Sequence, residues 1–126
     1  MTERETAPGG ERREAVHAER RAFVRLASDL SASCSDVTRG QRSHDVGWPG
    51  RVRDISRGGV GLLLQHCFRP GTDLSIELRD NTGKLLRTVA AHVVHASAVL
   101  DDGNPCWILG CAFEEPLSDA ELQELV

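Results

Sequence analysis

The sequence predicts an all-β domain, an antiparallel barrel or sandwich of six short strands followed by a short C-terminal helix. Three observations predict it. Short apolar stretches recur at hairpin-like spacing between segments of turn chemistry at 38–50, 68–73, 79–84 and 101–105, each rich in Gly, Pro, Asp or Asn. In 106–113 the bulky residues Trp107, Leu109, Cys111 and Phe113 alternate with Ile108, Gly110 and Ala112, so one set shares a face directed at a core. Ser118-Asp119-Ala120-Glu121 matches a capping box, with Leu117 and Leu122 at the positions of a hydrophobic staple.

Taken in chain order, residues 1–10 (MTERETAPGG) mix charge with Pro and Gly and read as a disordered tail. Residues 11–21 (ERREAVHAERR) contain good helix formers, but Val16 is their only sizeable apolar side chain. They support a solvated, fraying helix at most. We therefore divide the chain into an N-terminal tail at 1–15 and one domain at 16–126, as 126 residues allow a single core. Strands are expected at 31–37, 51–56, 59–65, 73–78, 85–96 and 106–113. A helix starting at Ser118 would bring Leu122, Leu125 and Val126 over one open end or face of the sheet.

Composition narrows the function. The net charge is -4 and aromatic residues make up 4% of the chain, so a general DNA or RNA binder, basic and rich in stacking platforms, is not expected. Of the 15 basic residues only Lys84 is a lysine. Arginine grips phosphate and base edges with a planar fork, which suits a compact anionic ligand. Cys34, Cys67, Cys106 and Cys111 form no Cys-x-x-Cys pair and no apolar signal stretch precedes them, so a reduced cytoplasmic setting is expected. No stretch approaches the ~18 apolar residues of a membrane span, and no membrane insertion is expected.

The five histidines lack metal-ligand spacing, so no metal site is expected. His66 and Cys67 are adjacent and would leave opposite faces of a strand, which argues against a catalytic dyad. Trp48, beside Pro49 in a polar loop, can either stack on a base or partner or anchor that loop.

The segment Arg53-Asp54-Ile55-Ser56-Arg57-Gly58-Gly59 stands out. In an extended strand Asp54 and Ser56 share a face, and a carboxylate's paired oxygens suit the adjacent N–H donors on the Watson–Crick edge of guanine. Gly58 and Gly59 permit positive φ and close approach of a ring or phosphate to the backbone. The same residues also describe a plain turn, in which Ser56 bonds its own backbone and Gly58-Gly59 forms a bulge or hairpin. In a regular strand Arg51, Arg53 and Arg57 would face away from Asp54 and Ser56. Upstream, Arg21 and Arg25 are four apart, so their guanidinium groups share a side and can clamp a phosphodiester or the O6/N7 edge of guanine. As a charge run they also fit a solvated face, although Phe23 and Leu26 suggest packing onto the domain.

Arg21-x-x-x-Arg25 followed by Asp54-x-Ser56-x-x-Gly59 resembles the signature of the PilZ domain, the bacterial receptor module for cyclic di-GMP. Pro70-Gly71-Thr72-Asp73-Leu74 and Leu109-Gly110-Cys111-Ala112-Phe113 are similar to its later turn and closing strand, so the resemblance runs from about Glu19 to Val126. It implies a six-stranded antiparallel barrel with a C-terminal helix, a flexible N-terminal arginine segment and a ligand site on the outer surface. It implies roles for Arg21 and Arg25 on guanine and phosphate, and for Asp54, Ser56 and Gly59 on the base and close backbone, with Gly58 as support. Arg20 is similar to an additional arginine in members that hold two stacked ligand molecules. The expectation is a cyclic di-GMP receptor without enzymatic activity or cofactor, whose arginine segment orders on the ligand and signals to a partner protein. The alternative is an adaptor of the same fold that binds no nucleotide.

Overall fold

Alternating burial along strands such as 73–79 turns one face of the sheet inward, and the sheet closes into a barrel around it. In the computed structural model, which describes residues 26–38 and 47–126, the strands are β1 (Leu26–Ala27), β2 (Ser31–Asp36), β3 (Trp48–Ile55), β4 (Gly59–Leu64), β5 (Asp73–Arg79), β6 (Leu85–Asp101) and β7 (Asn104–Phe113). A helix follows at Asp119–Leu125. The expected tail and helix at 1–21 and the arginines Arg20, Arg21 and Arg25 lie outside the described residues.

All pairings are antiparallel. The order β3-β2-β5-β6-β7-β4 closes on itself because β4 also pairs with β3, giving the six-stranded barrel; β1 adds beside the end of β3. Leu74, Ile76 and Leu78 of β5, Val60, Leu62 and Leu64 of β4, and Leu109, Cys111 and Phe113 of β7 point inward and are buried, with Cys34, Ile55 and Val93 among them. Each large aliphatic side chain removed from water contributes roughly 1.5–3 kcal/mol, so this interior sets the fold. The face expected for 106–113 is the one observed.

Local chemistry makes the turns. Pro70-Gly71 occupies the centre of a β-turn closed by the Thr72 N–H on the Arg69 carbonyl at 3.0 Å, with Gly71 at φ 91° as type II requires. Asp102 and Gly103 join β6 to β7, both at positive φ, as a two-residue type I′ hairpin requires. That tight turn carries the β6–β7 ladder through Leu100↔Pro105, beyond the strand ends expected at 96 and 106. Likewise β3 begins at Trp48 and not at 51, pairing with Cys34 of β2.

The capping box forms as expected: the Glu121 N–H donates to Ser118 Oγ at 3.0 Å and the Ser118 N–H to Glu121 Oε1 at 2.8 Å. Hydrogen bonding from the Ser118 backbone holds the Glu121 carboxyl below its ordinary value. Leu117 and Leu125 are buried and Leu122 packs against the core, whereas Val126, expected to help cover the barrel, is exposed. Arg87 of β6 ties the helix from outside, reaching Glu121 at 3.3 Å and Glu124 at 3.0 Å.

Candidate functional site

The last residues of β3 lie between two neighbours. On one edge Ala27 and Leu26 of β1 pair with Asp54 and Ile55; on the other Gly61 and Val60 of β4 pair with the same two residues. Between Val52 and Asp54 the β3–β4 register shifts, leaving Arg53 unpaired with β4 as the extra residue of a bulge. Val52 and Ile55 are therefore both inward although three apart, and both are buried. The sequence expectation that Arg51 faces away from Asp54 is corrected: the bulge resets the phase, and both point to the outer face.

Asp54 is partly buried there, and its carboxylate lies across β4. A Cβ at Gly61 would stand 2.7 Å from Asp54 Oδ1, so a side chain at 61 would displace it. Gly61 was not among the residues singled out in the sequence, though its place two positions after Gly59 in an outer-face register was readable.

Ser56 departs from its expected orientation. It is 2% exposed and stands just beyond β3, where its N–H donates to the Gly59 carbonyl at 2.9 Å. Its Oγ accepts from the Gly58 N–H at 3.2 Å and lies 3.4 Å from the Gly59 carbonyl, as donor. Asp54 and Ser56 do not share an outward face, because the chain has already turned at Ser56. Nor is positive φ used at Gly58 or Gly59; it occurs at Gly71, Gly83 and Gly103. Gly59 serves a close approach instead, since a Cβ there would meet the Cys111 carbonyl of β7 at 2.2 Å. Arg57 points toward the C-terminal helix, donating from Nε to the Leu117 carbonyl at 2.8 Å and lying 3.7 Å from Asp119.

A polar hollow of about 300 Å³ opens between residues 28–30 and the bulge, lined by Ser28, Asp29, Arg51, Arg53 and Leu63 among others. Arg51 also meets Asp101 at 3.2 Å, an exposed pair of small energetic weight. Near the start of β3, Trp48 stacks on His66 with centroids 4.1 Å apart, and His66 meets Phe68 edge-on at 4.6 Å. Trp48 thus anchors the chain where it enters β3.

Among the described residues no group of His, Cys, Asp and Glu is placed to hold a metal ion. No described helix is long and apolar enough to cross a membrane. Cys34 and Cys111 face the interior, where burial pushes both thiols up to about 12. They are packing groups, not nucleophiles.

A closed six-stranded barrel carrying this turn on its rim is matched by known proteins. The PilZ domain family matches residues 19–126. The chain belongs to this family. Among solved structures, it is similar to the PilZ domain of YcgR from Escherichia coli with c-di-GMP, at TM-score 0.59 and 19% identity over 84% of this chain and 86% of that one. It is also similar to the PlzA protein of Borreliella burgdorferi in complex with c-di-GMP, at TM-score 0.57 and 13% identity over 92% of this chain and 53% of that one. No curated protein matches it in sequence. In this PilZ domain the Asp-x-Ser-x-x-Gly turn is a built unit, with Asp54 outward, Ser56 inward and Gly59 against β7.

Proposed function

We propose that this PilZ domain is a cyclic di-GMP receptor without enzymatic activity, using Arg20, Arg21 and Arg25 together with Asp54, Ser56, Gly58 and Gly59. The observation that carries the reading is the pairing of Ala27 with Asp54. Leu26 lies opposite Ile55, and Arg25 is the next residue, one Cα step of about 3.8 Å away. Arg21 is five residues from Leu26, a reach of at most ~17 Å. The pairing of β1 with the end of β3 supports a joint role for the two halves of the signature, some 30 residues apart in sequence.

Chemical roles follow from the geometry. Asp54 offers two acceptor oxygens to the N1–H and N2–H of a guanine. The arginines supply forked donors for two phosphates, which an acidic protein must gather locally, and Arg53 with Arg51 adds positive charge at the hollow they line. Ser56 acts by fixing the turn that holds Asp54, with Gly58 and Gly59 as its backbone. Nothing in such a site requires a nucleophile, base or cofactor. Ligand binding orders the arginine segment across β3 and presents a new surface to a protein partner in the cytoplasm.

Calorimetry with cyclic di-GMP tests this on the full chain and on Arg21→Ala. A charge-assisted hydrogen bond contributes about 1.5–3 kcal/mol, so the variant should bind roughly ten- to over a hundredfold more weakly. A wild-type chain that gives no heat of binding would favour the adaptor reading instead.

A further inference from the structure

Asp54 lies in a row that starts at Ala27 of β1 and crosses four further strands. It pairs with Gly61 of β4, Gly61 with Gly110 of β7, and Gly110 with His95 of β6. The inward residues around the row are Ile55, Leu62, Leu109 and Val93, all buried, so the row itself lies on the outer face. At Gly110 a Cβ would stand 2.3, 2.6 and 2.9 Å from Nε2, Cε1 and Cδ2 of His95. Three ring atoms this close mean that the imidazole is laid over the Gly110 backbone, as the Asp54 carboxylate is laid over Gly61. The two glycines are directly paired, and adjacent strands stand about 4.8 Å apart.

A register shift between Val93 and His95 sets this up. Val93 pairs with Cys111 inside the barrel, and the next pair is His95 with Gly110, so the extra residue Val94 rotates His95 onto the outer face. His95 is exposed, and with the Gly110 backbone under one side of its ring the other side is directed away from the sheet. A planar ring lying against the sheet beside an outward carboxylate combines a stacking surface with an acceptor pair.

We infer that His95 is a stacking platform for one guanine of the ligand, positioned by Gly110 next to the carboxylate that reads the base edge. This rests on the cyclic di-GMP reading above. The platform contributes affinity through the π-face that every base has, and Asp54 contributes the preference for guanine.

The test is a set of calorimetric titrations with cyclic di-GMP on the full chain. Loss of one base–aromatic stack should weaken binding of His95→Ala roughly five- to hundredfold. His95→Phe, which keeps a ring, should restore most of the affinity, whereas His95→Gln, which keeps polarity alone, should behave like His95→Ala. Gly110→Ala should push the imidazole off its seat and weaken binding, yet add nothing in the His95→Ala background. The side chain is exposed, so thermal midpoints of the three His95 variants should match the wild type. If the wild type binds and His95→Ala binds equally, or if Gln rescues as well as Phe, the platform is wrong and the receptor reading stands. A wild type that does not bind overturns both.

Discussion

Arg57 and Leu117 hold each other by two reciprocal hydrogen bonds: the Leu117 N–H donates to the Arg57 carbonyl at 2.7 Å, and Arg57 Nε donates to the Leu117 carbonyl at 2.8 Å. The Phe113 N–H adds a bond to the Gly58 carbonyl at 2.9 Å. The turn after Asp54 and the lead into the C-terminal helix are therefore one mechanical unit. Replacing Arg57 with Ala removes the side-chain half of that clamp. With the head group partly solvated, the expected cost is about 1 kcal/mol, or a fall of roughly 4–8 °C in thermal midpoint. Amide exchange should quicken first at 119–125; unchanged exchange there would mean that the buried leucines hold the helix unaided.

Gly61→Ala should separate ligand binding from stability. The added Cβ meets the end of the Asp54 side chain rather than backbone, so Asp54 can swing aside at little cost to the fold. Thermal midpoint should stay within a few degrees, while cyclic di-GMP affinity falls at least as far as in Asp54→Ala. Full affinity in Gly61→Ala would show that the seat of the carboxylate does not matter.

The interior thiols make stability sensitive to base. Burial pushes Cys34 and Cys111 up to about 12 from an ordinary 9.0, with the charge of Cys111 a further cause at Cys34. Between those values the folded chain keeps protons that the unfolded chain loses, so stability falls as pH rises above about 9. The slope is up to ~1.4 kcal/mol per pH unit for each thiol. With no tyrosine and a single lysine, few other groups titrate in that range. Urea midpoints at pH 8, 9 and 10 should decline, and more gently in Cys111→Ala; a flat profile would contradict the burial of these groups.

Ser118→Ala removes the N-cap oxygen that accepts from Glu121 N–H, at an expected cost of about 1 kcal/mol. In the wild type the same box holds the Glu121 carboxyl below its ordinary value. That contribution is present above the unfolded value near 4.5 and is lost as pH falls through the folded one. Ser118→Ala keeps the backbone N–H that donates to Glu121 Oε1, so both proteins should lose this contribution on acidification and the gap between their denaturation midpoints should persist; a gap that closes would contradict the backbone origin of the shift.

What the sequence made legible, and what it hid, follows from the range of the forces involved. The core face of 107–113, the Pro70-Gly71 turn and the capping box are local patterns, and all three form as read. Ser56 and Arg51 were misplaced because their directions depend on where β3 ends and on a bulge at Arg53, which are set by strand pairing with β4 and β1 and not by the residue pattern of β3 itself. The β6–β7 hairpin outran its expected ends because Ala98 to Leu100 lie at the margin of the core, where a tight turn and not an apolar alternation sustains the ladder. Asp54, Gly61, Gly110 and His95 span some 56 positions in sequence, and only strand pairing puts them in one row.

The most direct test of the central claim is a backbone amide NMR titration of the full chain with cyclic di-GMP. Saturable shifts are expected at Ala27, Asp54, Gly59, Gly61 and Gly110, on the outer face where β1, β3, β4 and β7 meet. Shifts confined to the region of Trp48 and Leu100, or none, would contradict it.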